Sequence, residues 1–200
     1  QWVSYIYRTR SGTAITNGVQ SGFENGTAGS LEYNQQQGYY SYTFATDITT
    51  VTRPGDPTPL WDPAATHRLA IQLDLTDNEG ERILFNPHFD FTFDENLASL
   101  PLTDDSLSNK VVDEDVCNNC HDRLVAHGAR VETEYCVMCH NAGSIDVGFG
   151  SDIDFKVMIH KIHYGENLTN GYFVVGFGGT LHDYSDIVFP QDVRNCTTCH

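Results

Sequence analysis

The motif C-x-x-C-H occurs three times, as CNNCH (Cys117–His121), CVMCH (Cys136–His140) and CTTCH (Cys196–His200), and the repeats use all six cysteines of the chain. Two thiols three positions apart on a helical turn share one face, and the histidine after them sits one position further round. This is the attachment signature of a c-type haem. The two vinyl groups on one edge of the porphyrin each take a thioether, and the histidine swings over the ring to bind iron as proximal ligand. The repeats predict three covalently bound haems c, tethered through Cys117, Cys120, Cys136, Cys139, Cys196 and Cys199, with His121, His140 and His200 as proximal ligands. Two other readings explain less. A zinc knuckle fits Cys117, Cys120, Cys136 and Cys139 by spacing, but leaves the trailing histidines unexplained and orphans Cys196 and Cys199. Three disulfides suit an even cysteine count in a secreted domain, but give no reason for a histidine directly after each pair.

Each iron has a sixth position, and six histidines remain to fill it: His67, His88, His127, His160, His163 and His182. The stretch DFKVMIHKIHYG is the most informative. Asp152 or Asp154 can cap a helix start and Gly165 can end it. On that helix Lys156, His160 and His163 fall on one face, with Phe155, Ile159 and Ile162 on the adjacent, inward face. Histidines at i and i+3 can serve two neighbouring haems. His127 lies six residues past His121, too near to reach the far side of the same haem easily, and is expected to serve another. His182 stands in a glycine-flanked loop able to approach a porphyrin. His127, His160, His163 and His182 are thus the distal candidates, while His67 and His88 fall in expected strands and read as packing residues.

The rest of the chain divides in two. Residues 1–105 hold no cysteine and read as an antiparallel β-domain, a sandwich or split barrel of Greek-key kind. Runs such as WVSYIYRT, GYYSYTFATDITTV, HRLAIQLDLTD and ERILFNPHFDFTF alternate between turn signals at TNGV, ENGTAGS, RPGDPTP and DNEG. LDLTDNEGERILF reads as a hairpin closed at Asn78–Gly80. A polar linker spans 96–116. Residues 106–200 form a mostly irregular multihaem domain, with short helices at the cysteine motifs and over 152–165, and strand character only at GYFVVGFGG. Three haems leave that domain few side chains for a core of its own, so the porphyrins are expected to be much of it, covered by Leu124, Val125, Val137, Met138, Met158 and Ile162.

Charge narrows the partners. The chain has 27 acidic against 11 basic residues in 200, a formal charge of −16, which repels nucleic acid and anionic lipid. No stretch approaches the ~20 apolar residues of a membrane span, and no signal peptide opens the sequence, so it reads as a mature product or a piece of a longer protein. Acids in SNKVVDEDV, DENL and SDID lack the EF-hand pattern; Ca²⁺ is a weak expectation and solvated loops the better one.

From NPHFDFTF through KVVDEDVCNNCHDRLVAHGARVETEYCVMCHNAG and DFKVMIHKIHYGENL to GFGGTLHDYSDIVFPQDVRNCTTCH, the chain resembles the outer-membrane decahaem c-type cytochromes of the OmcA/MtrC type. The resemblance runs in order from about Ala65 to His200; the first 60 residues share only β character. It implies alternation of Greek-key split barrels with multihaem domains, and bis-histidine ligation that makes His127, His160, His163 and His182 distal ligands. It also implies export through the periplasm to the bacterial cell surface, with electrons passed to metal oxides, flavins or other cytochromes. Full members carry ten or so haems; three here suggest a fragment or a short relative, the latter able to pass electrons between identical subunits in a chain or filament. The expected function is electron transfer without a catalytic site. The competing reading is a reductase of nitrite or sulfite type with one open iron, against which the surplus of histidines argues.

Overall fold

The computed structural model describes residues 2–8, 10, 11, 14, 15, 19–25, 28–53, 55–59, 61–103, 110 and 112–200, the strands up to Asn25 by backbone alone. The expected TNGV turn falls largely outside them, as do 104–109 and 111 of the linker. Among the described residues fourteen strands form: β1 (Trp2–Arg8), β2 (Arg10–Ser11), β3 (Ala14–Ile15), β4 (Val19–Asn25), β5 (Ser30–Asn34), β6 (Tyr39–Thr43), β7 (Thr52–Arg53), β8 (Asp56–Pro59), β9 (Thr66–Thr76), β10 (Arg82–Phe85), β11 (His88–Phe93), β12 (Ser99–Pro101), β13 (Phe173–Val175) and β14 (Leu181–Asp183). Helices α1 (Glu114–His121), α2 (Thr133–Cys136) and α3 (Phe155–Tyr164) come after the last strand of the N-terminal part. The fold is a β-domain followed by a short-helix, largely irregular segment, as the period-2 runs and the motif spacing predicted.

One antiparallel sheet runs β12-β11-β9-β1-β4, with β10 also paired to β9; the other strands form two-stranded hairpins. The expected hairpin is β9–β10: the Asp77 amide donates to Glu81 O at 2.9 Å, and Gly80 takes φ 89°, which suits glycine. The eleven-residue β9 is the organising strand, because its two faces have different partners. His67 and Leu69 point into the β-domain core. There His67 is ringed by Trp61, Phe91 and Phe93 with centroids 5.1, 5.4 and 4.9 Å away, and burial pushes its pKa down to about 4. Arg68, Ala70, Gln72 and Asp74 point the other way. Ala70 packs against buried Tyr135 and Met138, Arg130 Nε donates to Gln72 Oε1 at 3.1 Å, and Arg82, held by Asp74, donates to Gly128 O at 2.6 Å.

Arg68 anchors this interface. Its Nε and Nη2 donate to Asp90 of the neighbouring strand at 2.6 and 2.5 Å, and Nη1 donates to Glu134 O at 3.3 Å. The two side chains are 4% and 9% exposed. Removing one partner from such a pair strands a buried charge. Asp90→Ala is therefore expected to cost about 3–5 kcal/mol in guanidinium unfolding followed by far-UV circular dichroism; a loss below about 1 kcal/mol, the range of surface pairs, would contradict this reading of the interface.

Candidate haem sites

Each C-x-x-C-H lies on a local helical turn. In the first, α1 carries Cys117, Cys120 and His121, with Glu114 and Asp115 in its first turn, where the helix dipole favours acids. The helix stops at Asp122, which has φ 59°. In the second, α2 ends at Cys136 and the His140 amide donates back to Cys136 O at 3.0 Å; in the third, the His200 amide donates to Cys196 O at 2.9 Å around a 3₁₀ turn. Burial pushes the Cys136 thiol up to about 12, and raises that of Cys117, on which Cys199 also acts.

Every histidine that closes a motif faces a second histidine. His121 meets His163 with ring centroids 5.9 Å apart and planes at 79°; His140 meets His127 at 6.1 Å and 23°; His200 meets His160 at 6.0 Å and 14°. Metal–imidazole bonds of about 2 Å on either side of one ion, plus about 1.1 Å from nitrogen to ring centre, put two axial rings a little over 6 Å apart. The spacing therefore fits an iron between each pair. The ring nitrogens agree. His140 Nδ1 lies 2.9 Å from Ile153 O, His160 Nδ1 2.5 Å from Lys156 O and His163 Nδ1 2.8 Å from Ile159 O. With its proton on Nδ1 the ring donates to the carbonyl and leaves the Nε2 lone pair for a metal, the usual support of a metal-bound histidine. Burial holds His127 and His140 below the ordinary histidine pKa, the neutral state that a ligand needs.

Helix α3 forms where expected. Of the two candidate caps it uses Asp154, which accepts from the Lys156 amide at 3.1 Å, and it ends at Gly165. It brings His160 and His163, one turn apart, to two different motifs. His182 is brought to none of the proximal histidines: its ring stacks on Tyr184 at 6.3 Å, and a Cβ on Gly176 would sit 2.6 Å from its Nε2. Of the expected cover, Met138 is fully buried while Val125 is 42% exposed, and Leu124, Val137, Met158 and Ile162 are half-buried. The short-helix segment buries few apolar side chains: Ala129, Tyr135, Met138 and Tyr172 among its described residues. The anchoring roles of Tyr135 and Arg130 went unforeseen, since nothing in their immediate sequence marks them.

A haem-free β-domain joined to a segment of C-x-x-C-H turns with opposed imidazoles defines a multihaem c-type cytochrome. Residues 109–200 match the family model described as outer membrane cytochrome MtrC/MtrF-like, domains II/IV. The multiheme cytochrome MtrC of Shewanella baltica (strain OS185) is 32% identical over 143 residues, covering 69% of this chain. The crystal structure of MtrC from Shewanella baltica OS185 superposes with a TM-score of 0.59 at 25% identity over 84% of this chain. Over the matched residues the chain is similar to the OmcA/MtrC-type outer-membrane multihaem cytochromes and is a relative of them. It spans only 19% of that curated relative and 27% of that solved chain.

Beside the first motif, carboxylate oxygens of Glu114, Glu132 and Glu134 lie within 4.8 Å of one another. Lys110 supplies a counter-charge, 3.3 Å from Glu134 and in contact with Asp113, and no observation favours Ca²⁺ there. Burial first, then the hydrogen bond and charge of Glu114, push Glu132 up from 4.5 to about 7. A carboxyl raised on folding keeps its proton between those values while the unfolded chain has lost it. Stability therefore falls as pH rises from 4.5 to about 7, and the full penalty persists above. Glu132→Gln is expected to raise Tm by about 2–4 °C at pH 8, for a screened gain of about 1 kcal/mol, and hardly at all at pH 4; equal shifts at both pH values would contradict it.

Proposed function

We propose that this chain is an electron-transfer module holding three haems c through its Cys-x-x-Cys pairs, with the axial pairs His121–His163, His140–His127 and His200–His160. The observation that carries this is the opposition of a second imidazole to every motif histidine at 5.9–6.1 Å. Haem iron, when bound, supplies the one-electron couple. The chain's own residues tether, orient and exclude: thiols fix the ring edge, carbonyls at Nδ1 fix three imidazoles, and the opposed ring denies the sixth position to water and small anions. That denial disfavours a nitrite- or sulfite-type reductase.

Residues 1–105 and 106–200 are read as two domains. Within the second, α3 serves the Cys117 and Cys196 sites from one helical turn, so those sites are neighbours. Thr133 Oγ1 at the start of α2 donates to Val112 O, just ahead of α1, at 3.1 Å, so the Cys136 site also borders the Cys117 site. The Cys117–His121 site therefore stands between the other two in the order we assign to electron passage. The acidic surface suits docking on basic patches or mineral cations, and no described helix is long and apolar enough to cross a membrane. Metal oxides, flavins, other multihaem cytochromes and identical subunits are the partners we infer, outside the bacterial cell. His182, once swung off Gly176, is the candidate ligand towards a haem on a continuing chain or on a second copy in a filament.

Replacing one distal imidazole tests the assignment. Methionine as axial ligand raises the potential, so His163→Met is expected to raise one of three potentials by on the order of 0.1–0.3 V, a part of the ~0.8 V span that axial ligands command. A potentiometric titration followed in the visible reads the change. An unchanged titration would remove His163 from the set.

A further inference from the structure

We propose that the β-domain is the clamp that holds His127 at the second haem site, with Asn86 and Arg82 as positioning residues; the proposal rests on reading His127 and His140 as an axial pair. His160 and His163 are oriented by their own helix, through Nδ1 contacts with carbonyls one turn back. His127 is placed differently. It sits at the tip of a tight turn in which the Ala129 and Arg130 amides both donate to Ala126 O, at 3.2 and 2.9 Å. His127 and Gly128 carry φ of 47° and 80°, a mirror-image turn geometry that costs glycine nothing and is uncommon for a residue with a side chain. A side chain with a Cβ keeps that conformation only where the surroundings impose it.

The surroundings here are the β-domain. Arg82 Nη2 donates to Gly128 O at 2.6 Å while Arg82 is itself braced on both oxygens of Asp74, at 2.8 and 2.6 Å. Asn86 is fully buried. Its Nδ2 donates to Ala129 O at 3.0 Å, and its Oδ1 accepts from the amides of Val131 at 2.7 Å and Glu132 at 3.4 Å. Arg130 is tied to Gln72. The chain is thus pinned from β9, β10 and the residue after β10, from the tip carbonyl beside His127 onward to the approach of α2. Its orientation, and with it the aim of the imidazole at His140, is set from outside the haem-bearing segment. Loosening the clamp lets the turn relax and opens the sixth position of that one site to an external ligand, while the two α3-supplied sites stay closed.

The test compares Asn86→Leu and Arg82→Gln in the mature three-haem protein, with His127→Ala as reference, by CO binding to the reduced protein and by potentiometry. The wild type is expected to bind essentially no CO and His127→Ala about one per chain. Asn86→Leu is expected to bind CO at least about tenfold more than wild type, the range for removing a residue that orients a metal ligand, at the band position of His127→Ala and with one potential moved. Arg82→Gln gives a smaller change at the same site. If both variants fold, stay inert to CO and keep all three potentials while His127→Ala opens, the clamp is refuted and the β-domain is only structural support. If His127→Ala itself stays inert, the axial pair is wrong and the clamp falls with it. Should Asn86→Leu fail to mature, the exposed Arg82→Gln decides alone.

Discussion

Two imidazoles facing each other across about 6 Å is a costly arrangement to build without a reason. The rings are polar, they must be neutral to bind a metal, and three of the six are held by a carbonyl at Nδ1. The chain builds it three times, with a motif histidine on one side in every case. The local helical turns, the Nδ1 carbonyls and the sparse apolar core of residues 112–200 all stem from that requirement. On the proposed reading as an electron carrier, little more is asked of the polypeptide: a fixed ligand pair would change little between oxidation states, and neighbouring sites on one short helix would lie close together.

Strand β9 connects this to the haem-free part. Its odd-numbered side chains build an aromatic core around His67, and its even-numbered ones meet the short-helix segment at Glu134, Tyr135, Arg130 and, through Arg82, Gly128. A single period-2 element thereby carries the geometry of the β-domain into the turn that presents His127. The bidentate Arg68–Asp90 pair lies at the centre of that contact, and its low exposure is tolerated because Nε and Nη2 donate to Asp90 and Nη1 to Glu134 O.

The cysteine motifs, the helix over 155–164 and the β9–β10 hairpin were legible because each is written in local spacing. The pairing of histidines was legible only in part. The i, i+3 relation of His160 and His163 announced two sites, but which sites depends on how residues 117–140 and 196–200 fold back on α3, and no local pattern carries that. His182 reads as a candidate ligand because it is a histidine among glycines; in the hairpin β13–β14 its ring stacks on Tyr184, and no local pattern says which haem it would reach. The alternation of HRLAIQLDL marks a strand with two unlike faces, but alternation cannot distinguish water from a polar interface. Asn86 had no signal at all: a buried amide that satisfies a distant backbone is visible only once both strands of chain are in place.

The relative ring angles provide the most direct test. Axial imidazoles that lie nearly parallel give rhombic low-spin ferric signals in electron paramagnetic resonance, whereas perpendicular ones give a highly anisotropic low-spin signal with a single large g value. Planes at 14° and 23° for two sites and 79° for the third predict two rhombic components and one highly anisotropic one, all low-spin, in the frozen oxidised protein. A dominant high-spin signal, or a sample without ferric haem signals, would contradict the account at its root.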